Sequence, residues 1–346
     1  MTSRERILSA IRFDRVDRIP VSPWGFGKIN PETPLGRQLI QKTDIIIDVG
    51  AGYDPFLGKA AKIESRQEGE TIITVIHTPK GDLTSRYRRT EVTGATIEFL
   101  LKDPSDVEKA LSIPFEPGDP DLSHYWKQRE KIGDEGLVMI GMGNGVATPA
   151  SWFSPEGFCF AWADAPNLVE RLTAVATERL IVFVEKCCKL GVDAFRICGG
   201  EYATVQLGPE GFRRLCVPYD RELIDVMHRY GAVAHYHNHG PVMHYLEDFA
   251  IIGMDSLDPL EAPPWGDADL HEARKRLGDK ICLVGNLDDM EVIDKLTTEQ
   301  VLAIARERLE AAGDSGFILG GTSSGTYGEN GAHNFIAMAE MVQGNL

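Results

Sequence analysis

Residues 192–240 read VDAFRICGGEYATVQLGPEGFRRLCVPYDRELIDVMHRYGAVAHYHNHG. Short apolar runs at 192–198 and 232–239 each open into glycine and polar residues, and the stretch between them carries helical spacing at 219–230. A strand, a helix and a second strand in that order form a unit whose strands lie parallel. The rhythm extends outward in both directions. From about residue 137, apolar runs at 137–142, 192–198, 232–239, 254–257, 281–284 and 317–319 alternate with helical segments at 166–189, 219–230, 241–251, 269–277, 298–312 and 333–343. These six units, strand material near 18–25 and one further segment predict an eight-stranded α/β fold, a (β/α)8 TIM barrel. A doubly wound open sheet is the alternative, but no Gly-rich nucleotide loop follows an early strand.

The chain before this rhythm reads differently. Thr2 or Ser3 can cap a helix whose apolar face is Ile7, Leu8 and Ile11. Residues 61–67, 70–78 and 81–89 alternate apolar and polar, with turn signals at Glu68-Gly69 and Pro79-Lys-Gly81, which predicts a small antiparallel β insertion. A polar-faced helix is expected at 103–113. The expected organisation is one domain over 1–346, with the N-terminal helix and the insertion in about 1–110.

The 346 residues carry 36 Lys plus Arg against 52 Asp plus Glu, a net charge of -16. Such a surface repels phosphate backbones and anionic membranes, so nucleic-acid and lipid partners are set aside. It also suits a polycarboxylate substrate poorly, unless a local basic pocket overrides it. The start, MTSRERILSAIRFDRVDRIPV, has no apolar h-region, and no run of 18 apolar residues follows, so the expected location is the cytoplasm. The six cysteines show no disulfide spacing and are expected to be reduced.

Barrel chemistry sits at the C-terminal ends of the strands. The strand ends here are polar: Gly199-Gly-Glu201, His235-Tyr-His-Asn-His239, Asp258 with Glu261, Gly285-Asn-Leu-Asp288 and Gly320-Gly-Thr-Ser-Ser324. His235, His237 and His239 stand two apart and would share one face of a strand. Three buried imidazoles need partners, which a metal or hydrogen bonds could supply. Glu201 ends the preceding strand, beside His237. Pro209 can open a short helix over 209–216 and Pro218 cannot continue one, so Cys216 is expected at the barrel mouth, where a thiolate could join Glu201 and a histidine on zinc. Asn286 could orient a substrate or a metal-bound water. Trp24, Trp152 and Trp265 could line an aromatic substrate pocket or serve as packing, and Tyr202 and Tyr327 could touch substrate.

Arg4-Glu-Arg-Ile-Leu-Ser-Ala-Ile11 followed by Asp17-Arg-Ile-Pro-Val21, the strand His237-x-His-Gly240, the Gly285-Asn286 strand end and the Asn330…Asn334 helix start resemble, in this order, the uroporphyrinogen-decarboxylase superfamily over nearly the whole chain. True decarboxylases of that group use no metal and carry an early Gly-Arg-Ser segment; here Trp24-Gly-Phe-Gly-Lys-Ile-Asn30 stands instead. Coenzyme M methyltransferases have His-x-Cys and a later Cys, where this chain has His239 and Thr322. The chain is most similar to the zinc-dependent corrinoid methyltransferases of phenyl-methyl-ether O-demethylase systems, whose pattern is Glu-x14-Glu-x20-His; Glu201, Cys216 and His237 keep both spacings, with cysteine at the second Glu. The resemblance implies zinc on Glu201, Cys216 and His237, with Glu201, His237, His239 and Asn286 as catalytic residues. It also implies a methyl group moving from an O-methylated substrate, an aryl methyl ether, to cobalamin on a separate corrinoid protein, and a homodimer. The rival expectations are a metal-free decarboxylase and a non-catalytic tetrapyrrole- or corrinoid-binding barrel.

Overall fold

The computed structural model describes residues 1–322 and 325–344. The N-terminal helix Ser3–Ile11 is capped by Thr2, whose hydroxyl accepts from Glu5 N while the Glu5 carboxylate returns to Thr2 N. Strands β1 (Val21–Ser22) and β2 (Ile45–Val49) follow. The insertion supplies β3 (Lys62–Glu68), β4 (Thr71–His77), β5 (Leu83–Arg89) and β6 (Gly94–Glu98). Then come β7 (Gly136–Gly143), β8 (Ala194–Cys198), β9 (Val233–His237), β10 (Ser256–Asp258), β11 (Cys282–Leu287) and β12 (Phe317–Gly321).

Eight strands form one parallel sheet in the order β1-β12-β11-β10-β9-β8-β7-β2. The seam between β1 and β2 is closed by a parallel bridge from Trp24 to Ile46 and by bonds from Asp44 N to Val21 O and Gly25 N to Ile46 O. This is a TIM barrel, and β3 to β6 form a separate antiparallel sheet in sequence order. The eighth barrel strand is the Ile-Ile-Ile-Asp-Val run of β2. The 18–25 segment contributes only two strand residues, because Pro20 and Pro23 flank them and cannot donate to a ladder. Strand β6 was not expected; it is short and its residues are mostly exposed. Strand β9 stops at His237, so His239 lies beyond it and not on the shared face.

The two prolines act as expected. A short helix, Gly208–Leu215, has Pro209 in its first turn, and a new helix, Val217–Arg229, starts with Pro218. Cys216 sits at the break between them.

Alternation along the strands separates two cores. Outward residues such as Phe195, Ile197, Leu257 and Leu319 pack against the surrounding helices. Inward residues Ile46, Leu137, Met139, Ala194, Val233, Cys282, Val284 and Ile318 fill the lower lumen, and Ile7, Ala10 and Ile11 of the first helix plug its base. That plug is fastened by ions. Asp44 is fully buried and takes Arg6 on Oδ1, Arg18 and Val21 N on Oδ2, while Asp17 takes the remaining face of Arg6. Among the described residues, no helix is long and apolar enough to cross a membrane.

Candidate active site in the upper lumen

The inward positions change character above the apolar layers. Asp48 follows Ile46, Arg196 follows Ala194 and His235 follows Val233, each two residues further along its strand. Arg196 pairs in register with Gly141 on one side and His235 on the other, and His235 with Ser256. Trp24 reaches into this layer. Its indole N–H donates to Asp48 Oδ1 at 2.8 Å, its ring lies 5.1 Å from that of His235, and the Arg196 guanidinium lies 4.4 Å above it. One step higher, Cys198 pairs with His237 and His237 with Asp258.

Asp258 organises the histidines. It is fully buried and its Oδ1 accepts from His235 Nε2 at 2.8 Å and from His237 Nδ1 at 2.9 Å. Burial would raise this carboxyl, but the two imidazoles hold it well below the ordinary range. Ser256 Oγ meets the other nitrogen of His235 at 2.8 Å. His235 is thus a satisfied group beneath the site, whereas His237 Nε2 has no hydrogen bond among the described residues. The His239 ring stands perpendicular to that of His237 at 4.5 Å, and its Nδ1 meets Glu261 Oε1 at 2.9 Å. That hydrogen bond raises the His239 pKa; Glu261 is held low by His239 and Gly240 N against the effect of its burial.

Glu201 lies in the first turn of the helix Gly200–Gln206, and its Oε2 accepts from Gly199 N at 3.0 Å. Cys216 is fully buried beside it. Burial pushes the thiol well up, and the charges of Asp220 and Glu201 push it further. Asn144 Nδ2 donates to Asp220 Oδ2 at 2.9 Å and to the Tyr236 hydroxyl at 3.3 Å, and reaches Cys216 Sγ at 4.0 Å. Tyr236 donates to the same Asp220 oxygen at 2.7 Å. Burial raises the Asp220 carboxyl to about 7.

The donor set of Glu201, Cys216 and His237 suits zinc in kind: a carboxylate, a buried thiol and an imidazole whose other nitrogen is fixed by a carboxylate. As the side chains stand, no three His, Cys, Asp or Glu among the described residues are gathered closely enough to hold a metal ion. Glu201 is the member common to both sides, since its charge bears on Cys216 and on His239.

Two cavities flank these residues. One of about 450 Å³ is lined by Tyr53, Phe56, Gly141, Asn144, Trp152 and Phe183, among others. A second, of about 160 Å³, is lined by Glu261, Trp265, Asn286, Asp288 and Thr322, among others. Asn286 is buried, and its Oδ1 has no partner among the described residues. Trp152 and Trp265 thus line separate cavities, and Tyr202 lies half-buried on the Glu201 helix. Trp24 stands in the lumen against Asp48, His235 and Arg196. One expectation is corrected: Tyr327 is fully buried, packs on Phe335 and donates to Gly25 O at 2.8 Å, so it braces a loop. Ser323 and Ser324 of the expected polar strand end lie outside the described residues.

Sequence reasoning missed Asp48, Arg196, Asn144, Asp220 and Tyr236. For the first two a signal was present. Asp48 stands in Ile-Ile-Ile-Asp-Val and Arg196 in Ala-Phe-Arg-Ile-Cys, each a lone charge inside an apolar strand.

Comparison with known proteins places this geometry in context. The sequence profile described as uroporphyrinogen decarboxylase (URO-D) matches residues 129–344. A methyltransferase from Methanosarcina mazei is similar in structure at a TM-score of 0.68, with 18% identity over 99% of both chains. A B12-independent methionine synthase from Shewanella sp. W3-18-1 aligns at a TM-score of 0.48, with 10% identity over 95% of this chain and 98% of that one. No curated protein sequence matches significantly.

Proposed function

We propose, from the premise that the chain belongs to the uroporphyrinogen decarboxylase family, that it is a methyltransferase that takes a methyl group from an aryl methyl ether and passes it to a separate corrinoid protein. The observation that carries this reading is His237. Its Nδ1 is fixed on Asp258 while its Nε2 makes no hydrogen bond among the described residues, the arrangement expected of an imidazole kept for a ligand.

Glu201, Cys216 and His237 would hold zinc, which when bound supplies a Lewis acid for the ether oxygen and its departing phenolate. The residues themselves do the positioning. Asp258 fixes the tautomer and plane of His237. Asn144 is held by Asp220 and the Tyr236 hydroxyl, and reaches the Cys216 sulfur. Tyr53, Phe56, Trp152 and Phe183 offer aromatic walls to an aryl group. Asn286 Oδ1, buried without a partner among the described residues, is an acceptor available to a substrate hydroxyl.

Metal content of purified wild-type protein, Cys216→Ala and His237→Ala tests the reading. The expected result is about one zinc per chain in the wild type and less than a tenth of that in both variants, with methyl transfer from methoxylated aromatics to reduced corrinoid. Wild-type protein without metal after purification with added zinc would overturn it. The second reading, a metal-free decarboxylase, would then take its place, because Arg196 puts a basic group in the lumen.

A further inference from the structure

Arg196 is the lumen group that the chemistry above leaves unused. Its guanidinium carries five N–H donors in a rigid fork. None makes a side-chain hydrogen bond among the described residues, and the Nε is buried without a partner. The Nη1 lies 3.6 Å from Asp48 Oδ1, too far for a hydrogen bond, and that oxygen already accepts the Trp24 indole. Arg129 and Arg308 also keep a buried nitrogen without a partner, but they lie on outer helices, and three other buried or half-buried arginines are paired. Arg6 is paired with Asp17 and Asp44, Arg179 with the carbonyls of Phe56 and Ile113, and Arg274 with those of Ala312, Gly278 and Gly316.

The surroundings hold Arg196 ready. Trp24 lies under the guanidinium plane and fixes its height. Its register neighbour Gly141 has no side chain and lines the aromatic cavity of about 450 Å³. The Arg196 side chain is 12% exposed, so solvent reaches it from the mouth. A buried fork with unspent donors, one strand away from a residue that lines a cavity, is complementary to a planar anion.

We propose that Arg196 anchors a carboxylate of the substrate. The methyl donor is then a methoxylated aromatic acid, where the methoxy part rests on the methyltransferase reading and the carboxylate part does not. Asp48 keeps the guanidinium aligned through a loose pair, which the incoming carboxylate displaces with direct hydrogen bonds.

The test is equilibrium binding of benzoate, 4-methoxybenzoate and methoxybenzene to wild-type protein, Arg196→Met, Arg196→Lys and Asp48→Asn, without corrinoid. Wild-type protein is expected to bind both acids at least ten-fold more tightly than methoxybenzene. Arg196→Met is expected to lose about 10- to 100-fold in affinity for the acids, the range of a hydrogen bond to a charged group, and to keep methoxybenzene binding. Arg196→Lys should retain part of the preference. Asp48→Asn, which removes the competing charge and keeps the acceptor for Trp24, should tighten benzoate binding; this opposite sign keeps the test valid if Arg196→Met folds poorly. Equal binding of acid and ether by wild-type protein, or a preference that survives in Arg196→Met, overturns the proposal. Benzoate has no methyl group to give, so its Arg196-dependent binding can stand if methyl transfer fails. Methyl transfer from methoxybenzene without any preference for acids would sink this inference alone.

Discussion

The lower and upper halves of the lumen are built on the same eight strands and differ in how their side chains are spent. Below, Leu137, Met139, Ala194, Val233, Val284 and Ile318 close on the first helix, and the charges at the base form a tight network around Asp44. Above, among the described residues, Arg196 Nε and Asn286 Oδ1 are buried without partners, as is Asp220 Oδ1 in the helix layer behind Tyr236, and His237 Nε2 makes no hydrogen bond. A buried polar atom left unpaired costs about 1–3 kcal/mol. At the base, Arg4 Nη1 is unpaired but its guanidinium is spent on Asp193, whereas the upper half carries unpaired atoms where a ligand could relieve them. The difference teaches that the base of this barrel is built for stability and the mouth for binding.

The largest expected effect is at the base. Asp44→Ala leaves Arg6 and Arg18 with one fewer buried partner and frees Val21 N, and is expected to cost about 3–5 kcal/mol in stability. Denaturant unfolding measures it, and a loss below about 1 kcal/mol would break the claim that this network fastens the plug. The Arg4…Ile11 and Asp17…Val21 segments that carry the family resemblance supply this network, so the most recognisable part of the N-terminus is structural.

Asp258→Asn sharpens the comparison from the other side. The substitution keeps the shape but removes the charge that fixes His235 and His237. The expected loss is about 10- to 100-fold in zinc affinity and methyl transfer, with a smaller loss of stability than for Asp44→Ala. Retention of full zinc affinity alongside a stability loss equal to that of Asp44→Ala would make Asp258 a strut, and the two halves alike.

How much of this was legible depends on range. The six strand–helix units and the break at Cys216 are local, because alternating apolar runs and the prolines 209 and 218 specify them. The inward face of each strand is not local. It is fixed by register, and register by barrel closure, so the juxtaposition of Arg196 with Asp48 and Trp24 follows only once β2 and β8 are placed. The three histidines show both levels. Their spacing was visible, but β9 ends at His237, and their carboxylate partners come from 258 and 261, over twenty residues away.

The smallest effect returns to the base, at its rim. His228 Nε2 meets Asp255 Oδ2 at 3.0 Å, and the same oxygen accepts from Ala234 N at 2.7 Å near the start of β9. The Asp255 hydrogen bond raises the His228 pKa above its ordinary value of 6.5. The protonated form is the one favoured by folding. The stabilisation is therefore complete below the unfolded-state pKa of about 6.5 and disappears as pH rises through the higher folded value. The His228 side chain is 38% exposed, so solvent screening limits the pair to less than about 1 kcal/mol. His228→Gln should thus lower stability at pH 5.5 and leave it nearly unchanged at pH 8.5, as measured by unfolding at both values. A loss that is the same at both would assign the contact to packing. Set beside Asp44→Ala, the contrast is one of burial and of partners: both carboxylates sit at the same end of the barrel, and only the fully buried one, which holds two arginines, is expected to hold the fold together.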